Sequence, residues 1–105
     1  MIKAEAFGGR IEFDGQTISI TRTHHLSKSV LGDQTLIPIG QVGSVEWGEP
    51  HWFKPGHIRF AVGGSQAGAL PTDVGKDANA VLFGKKQRKE FLMVRDMVQT
   101  AIASR

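Results

Sequence analysis

Residues 9–21 read GRIEFDGQTISIT, and this stretch sets the expectation for the whole fold. Hydrophobic and polar side chains alternate on both sides of Asp14-Gly15, a pattern typical of a sheet with one face in water. Asp and Gly tolerate the positive φ that a tight hairpin turn needs. The stretch therefore predicts two antiparallel strands, Ile11–Phe13 and Thr17–Thr21, joined by a turn at Asp14-Gly15.

Short apolar runs elsewhere predict five more strands, bounded by glycines, prolines and polar residues. They cover residues 2–7, 35–39, 43–47, 57–62 and 79–83. Pro38 has no N–H to donate, so its strand belongs at a sheet edge or ends there. The core expected from the alternation consists of Ile11, Phe13, Ile18, Ile20, Val45, Trp47, Ile58 and Phe60, together with residues of the last segment.

In the last segment the apolar residues recur every three or four positions instead of every two, which predicts a helix over residues 85–103. Phe91, Val94 and Val98 are spaced by three and four and form one apolar stripe. Leu92, Met93 and Met97 are expected to widen the stripe. We predict a single domain over residues 1–105, with strands over 2–83 followed by this helix.

A sheet of seven short strands with one apolar face is expected to close on itself, because the unpaired backbone groups at open sheet edges can pair with other chains. The expected solution is a barrel of about seven antiparallel strands, capped at one end by the amphipathic helix. The fold class is thus mainly β with one C-terminal helix.

Composition limits the function classes. The chain has 105 residues and no cysteine, which excludes thiolate nucleophiles and cysteine-ligated zinc. No apolar run approaches the ~18 residues of a membrane span. A cytoplasmic location is expected.

Charge is concentrated at the C-terminal end. Residues 1–84 carry seven Lys and Arg against eight Asp and Glu, a net of −1, whereas residues 85–105 carry six against two, a net of +4. Because residues 1–84 are nearly neutral, nucleic acid is not expected as a partner of the domain as a whole. Any anion binding should be confined to the basic segment, residues 85–105.

Three short motifs resemble a bacterial family of pleckstrin-homology-like domains. They are GxIxFDGxTIxI over residues 9–20, IPIxxVxxVxW over 37–47 and GxIRF over 56–60, followed by the terminal helix. Members are common in actinobacterial proteins and sometimes precede a short oligomerisation module. The resemblance implies a barrel with a C-terminal helix, and it implies no catalytic residue and no ligand.

Trp52, Phe53 and Lys54 form the first candidate contact site. They lie between Pro50 and Pro55-Gly56, in a turn whose tip cannot easily reach the core of its own sheet. Two large aromatic side chains there favour contact with a protein or a membrane interface. The alternative is that the turn folds back and caps one mouth of the barrel.

Lys85, Lys86, Arg88 and Lys89 form the second candidate, an anion site at the start of the helix. Cations at that end oppose the helix dipole, so their presence there favours a bound phosphate or carboxylate. The alternative is a solvated first turn, neutralised by Glu90, Asp73 and Asp77.

Other chemistry has little support in the sequence. His24-His25 would point to opposite faces of a strand, and His51 and His57 have no carboxylate at a familiar ligand spacing, so no metal is expected. The glycines of residues 63–77 follow neither nucleotide-binding pattern, and no cofactor is expected.

We therefore predict a non-catalytic binding or assembly module whose partner is another protein or a second copy of the chain, contacted through a strand edge or through the turn that carries Trp52 and Phe53. The first alternative is an anion binder that uses the basic helix start to hold a lipid head group, a nucleotide or a nucleic acid. An enzyme with dispersed active-site residues is the second.

Overall fold

The computed structural model describes residues 1–7, 9–22, 34–62 and 79–104. The described chain is mainly β with one C-terminal α-helix, as the sequence predicts. Its elements are β1 (Ile2–Ala6), β2 (Gly9–Phe13), β3 (Thr17–Arg22), β4 (Gln34–Pro38), a 3-10 turn (Ile39–Gln41), β5 (Val42–Gly48), β6 (Gly56–Val62), β7 (Ala80–Phe83), a second 3-10 turn (Lys85–Gln87) and α1 (Arg88–Ser104).

The strands form two antiparallel sheets. The first has the order β1-β2-β3-β4 and the second has the order β5-β6-β7. In the described ranges no strand of one sheet pairs with a strand of the other, so the strand ladder is not the closed barrel expected from the sequence. Closure of the ladder is unnecessary, because both sheets and α1 bury their apolar side chains in one shared core.

The predicted hairpin between β2 and β3 is confirmed, but the central residues of its turn are Gly15 and Gln16, one position later than Asp14-Gly15. Phe13 pairs with Ile18, and Gly15 takes a φ of +100°. A positive φ at the first central position is the mark of a type II′ turn, which suits the twist of a hairpin. Asp14 fixes the turn further, because its Oδ1 accepts hydrogen bonds from the backbone N–H groups of Gln16 at 2.8 Å and Thr17 at 2.7 Å.

The predicted core is largely confirmed. Nine of its members are buried: Ile11, Phe13, Ile18, Ile20, Ile58, Phe60, Phe91, Val94 and Val98. Val45 and Trp47 are half-buried and pack against this cluster. Sequence analysis missed Ala4, Ile37, Val42, Val81 and Phe83, which are also buried there.

One expectation about an apolar face is wrong, and one strand is more buried than simple alternation implies. Met93 and Met97 are about half exposed, so they do not widen the buried stripe of α1, which is held by Phe91, Val94 and Val98. The polar side chains of β6 are not all exposed to solvent. Arg59 is buried and forms an ion pair with Glu46 on β5.

Pro38 is the last residue of β4, which lies at the edge of its sheet. The missing N–H therefore leaves no ladder hydrogen bond unmade in the middle of a sheet. This position agrees with the prediction for Pro38.

Candidate functional site

A closed two-residue turn carries Trp52 and Phe53 at the end of the β5–β6 hairpin. His51 donates its N–H to the carbonyl of Lys54 at 2.8 Å, and Lys54 donates back to His51 at 3.3 Å. Among the described residues only glycines have positive φ, so both central residues take ordinary negative φ values. With both backbone bonds made, the turn is fixed, and its two central side chains point away from the sheet.

Both aromatic side chains are consequently in water. Trp52 is 85% exposed and Phe53 is 100% exposed. The turn does not fold back over the core, and Phe53 has no side-chain burial within the protein. Large exposed aromatic side chains are typical of surfaces that bind another molecule.

Close backbone packing supports the base of this turn. A Cβ on Gly56 would lie 2.6 Å from the carbonyl oxygen of Gly48 and 2.8 Å from the ring of Pro50. A Cβ on Gly48 would meet the ring of His57 at 2.3 Å. Glycine at 56 therefore lets the two chain segments approach closely at the base of the turn, and glycine at 48 leaves room for the His57 ring.

The two candidate sites predicted from the sequence meet in space. Lys85 Nζ lies 4.2 Å from the centre of the Trp52 ring, within cation–π distance. Phe7, at the end of β1, lies beside them and is about half exposed. A shallow cavity of about 530 Å³ opens between the turn and the residues Phe7, Gly84 and Lys85.

We call Phe7, Trp52, Phe53, Lys54 and Lys85 together the aromatic surface. All five line the cavity. The surface combines three aromatic side chains with two cations and no carboxylate among its members. It can accept an apolar group and a negative charge at the same time.

Reciprocal hydrogen bonds place Lys85 at this surface. Gly84 donates its N–H to Oε1 of Gln87 at 3.0 Å, and Gln87 donates its N–H to the carbonyl of Gly84 at 3.1 Å. The second bond is the backbone bond of the 3-10 turn, and the first is the Gln87 half of a capping box, whose other half a glycine cannot supply. Lys85 lies inside the capped turn, so its backbone position is fixed relative to Trp52.

Arg88 is engaged elsewhere and does not belong to the aromatic surface. Its Nε donates to Oε1 of Glu49 at 2.7 Å and its Nη2 to Oε2 at 3.1 Å. Trp47 also donates its Nε1–H to Oε2 of Glu49 at 2.8 Å. The bond from Arg88, followed by that from Trp47, lowers the pKa of Glu49 to about 2, and Glu49 in turn raises the pKa of Arg88.

The remaining cations of the predicted anion site stand apart. Lys86 and Lys89 are exposed, but neither lines the cavity. Of the four cations expected to act together, the structure brings Lys85 to the aromatic surface and pairs Arg88 with Glu49. Glu90 lies in the first turn of α1, where a carboxylate is favourable.

Sequence reasoning missed two residues that shape this region. Phe7 was assigned only to the end of a strand, although an aromatic residue immediately before two glycines could have marked an exposed strand end. Glu49 gave no signal, because its partner Arg88 lies 39 residues away along the chain.

The histidines offer no metal centre in the part of the chain that is described. His51 is exposed at the turn, while His57 is half-buried, and desolvation lowers its pKa. Within residues 1–7, 9–22, 34–62 and 79–104, no three His, Asp or Glu side chains come together in a way that could hold a metal ion. His24-His25, Asp73, Asp77 and the segment 63–77 lie outside the described residues.

Over the same ranges, no helix combines the length and apolar character needed to cross a bilayer.

Comparison with known proteins identifies a family. The family model described as "Domain of unknown function (DUF4429)" matches residues 11–99, which is most of the chain. The chain belongs to this family. No curated protein and no solved structure matches it.

Proposed function

We propose that this member of the DUF4429 family is a non-catalytic binding or assembly module that contacts its partner through the aromatic surface. The observation that carries the proposal is the exposure of Trp52 and Phe53 beside Lys85. Each aromatic side chain can bury roughly 150–250 Å² on contact. Side chains of this kind, surrounded by polar groups, provide most of the binding energy of typical interfaces.

The fold supports this proposal because it does not use these side chains. Trp52 and Phe53 lie outside the core cluster, whereas the other tryptophan, Trp47, packs against the core. Placing two large aromatics in water brings the folded chain no benefit from burial. A role in contact with another molecule accounts for them.

The proposal includes the pleckstrin-homology-like architecture expected from the sequence. Four plus three antiparallel strands followed by a C-terminal helix are compatible with that architecture. The cytoplasmic location expected from the sequence likewise stays a prediction.

The chemistry of the surface restricts the partner. It must offer apolar groups to Trp52 and Phe53 and negative charge to Lys54 and Lys85. A second copy of the chain meets the first requirement only, because the same lysines would face one another across a two-fold contact. The expected self-association is therefore not favoured through this surface, and an acidic partner is.

Anion binding alone is the second candidate function. Its supporting observation is the position of Lys85, with Lys86 and Lys89 exposed at the same end of the helix. We do not include Arg88, since Glu49 already neutralises it. A melting-temperature series with inorganic phosphate and inositol phosphates tests this candidate, and stabilisation lost in Lys85→Gln would favour it.

Photo-crosslinking tests the proposed function, because it captures whichever molecule the aromatic surface touches. Phe53 is replaced by a benzophenone amino acid, and the same replacement is made at Leu36, which is 62% exposed on edge strand β4. We expect adducts with protein or lipid in cells at position 53 and few at position 36. Equal labelling at both positions, or none at position 53, would contradict the proposal.

A further inference from the structure

We propose that the partner of the aromatic surface is the lipid–water interface of an anionic bilayer, on which the protein rests without crossing it. This inference rests on the proposed function and names its partner. It is argued from the shape of the turn, from the arrangement of its charges and from the rigidity of its support.

The shape of the turn favours a bilayer over a protein groove. Phe53 is fully exposed and Trp52 nearly so, so the two rings project from the molecule at the tip of a hairpin. The cavity that the two rings line is shallow and open, so it does not enclose a peptide as a binding groove would. A projecting pair of aromatics is suited to enter a soft interface, where the Trp ring occupies the headgroup level and the Phe ring lies deeper.

The charges around the turn complete the match. Lys85 lies over the Trp52 ring and Lys54 follows Phe53 directly and lines the same cavity, so two cations accompany the aromatic pair. Both lysine side chains are long enough to keep their ammonium groups in the headgroup layer while the rings enter the interface. The nearby carboxylate Glu49 is neutralised by Arg88 and does not repel an anionic surface.

Hydrogen bonds and close packing hold the backbone of the turn, which lowers the backbone part of the entropic cost of insertion. The two backbone hydrogen bonds between His51 and Lys54 fix the tip, and close packing at Gly56 fixes its base. The backbone of the tip is therefore already ordered before contact, and the ordering that remains on binding is mainly that of the side chains.

Vesicle binding tests the inference. The protein is mixed with vesicles of phosphatidylcholine alone or of phosphatidylcholine and phosphatidylglycerol in equal parts, and the bound fraction is measured by sedimentation. We expect binding to the anionic vesicles, and much weaker binding at ~1 M salt than at ~0.1 M, because the screening length falls from about 10 Å to about 3 Å.

Two double variants separate the apolar and the charged contributions. Trp52→Ala with Phe53→Ala should lower the partition constant by about tenfold or more, since it removes the inserted area. Lys54→Gln with Lys85→Gln should lower it by about twenty-fivefold, because each cation near an anionic surface contributes about fivefold.

Matched controls keep the test specific. Met93→Ala with Met97→Ala removes two exposed apolar side chains from α1, and Lys3→Gln removes an exposed cation from the opposite end of β1 from Phe7. Both should bind like the parent. The melting temperature of every variant should stay close to that of the parent, since none of the changed residues is in the core.

The outcomes distinguish this inference from the proposed function. No binding to anionic vesicles, equal binding to both vesicle types, or unchanged binding by the Trp52→Ala, Phe53→Ala variant would overturn it. If crosslinks at position 53 nevertheless reach a protein, the proposed function stands and the partner is that protein. If neither vesicles nor crosslinks report contact, both proposals fail.

Discussion

Glu49 links two parts of the molecule through a single exposed carboxylate. It accepts hydrogen bonds from the Trp47 indole of β5 and from both arms of the Arg88 guanidinium at the start of α1. The bidentate geometry fixes direction as well as distance. This residue therefore sets how the helix begins relative to the sheet that carries the aromatic turn.

Stability should depend on the ionisation of Glu49. Its pKa in the folded protein is about 2, below the ordinary 4.5, so the unfolded chain binds the proton more readily. The resulting stabilisation is fully present above pH 4.5 and is lost as the pH falls towards 2. We expect the urea midpoint of the parent to fall over this range more steeply than that of Glu49→Gln.

Glu5→Gln is the matched control for this prediction. Glu5 lies 3.8 Å from Arg10, a looser ion pair, and its replacement should leave the steep acid dependence in place. Salt should reduce the difference between the parent and Glu49→Gln, because the pair is exposed. Parallel pH curves for the parent and Glu49→Gln would show that the pair does not stabilise the fold.

At the scale of elements, α1 is held to the sheets by aromatic contacts. The ring of Phe91 stacks on that of Phe83 with centroids 4.7 Å apart, and Trp47 lies against Phe83 at 4.9 Å. The Arg95 guanidinium lies 5.0 Å from the centre of the Trp47 ring. The helix is therefore a structural part of the core.

Truncation of Phe91 should test that role. Phe91→Ala leaves a cavity in a fully buried site and should lower the free energy of unfolding by about 3–5 kcal/mol. Met93→Ala, on the exposed side of the same helix, should change it by less than about 0.5 kcal/mol. Chemical unfolding of both variants measures the contrast, and similar losses in the two would mean that α1 does not pack as described.

Elements with a regular period were predictable from the sequence, and their pairing was not. The β2–β3 hairpin and the C-terminal helix follow from local patterns, and both are present in the structure. The turn lies one residue later than predicted, and α1 begins at Arg88 because Lys85–Gln87 form a 3-10 turn instead of the first turn of the α-helix. The division into two sheets depends on long-range hydrogen bonds, which no local pattern encodes. The exposure of Met93 and Met97 likewise depends on the rotation of α1 about its own axis relative to the sheets.

The candidate site was predictable in its parts but not as a whole. Trp52 and Phe53 were identified because they lie in a turn, and Lys85 because it begins the helix. The contact between Trp52 and Lys85 joins distant parts of the chain and depends on the meeting of β1, the β5–β6 hairpin and the second 3-10 turn. The same geometry removes Arg88 from the predicted group, since it brings Glu49 into contact with its guanidinium.

At the scale of the whole molecule, the residues that stabilise the fold differ from those that we propose to contact a partner. The core is built from both sheets and α1, while the exposed aromatics of the β5–β6 turn lie outside it. Excess positive charge lies in residues 85–105 rather than in the strands. An acidic partner would therefore approach the molecule from the end where the helix begins.

Quenching of tryptophan fluorescence by acrylamide tests this account most directly, because the chain has two tryptophans in contrasting environments. The parent is compared with Trp52→Phe, in buffer and with anionic vesicles, so that the difference reports Trp52. We expect Trp52 to be quenched strongly in buffer, Trp47 weakly, and Trp52 to become as protected as Trp47 on the vesicles. Protection of Trp52 already in buffer, or unchanged quenching of Trp52 on the vesicles, would contradict the account.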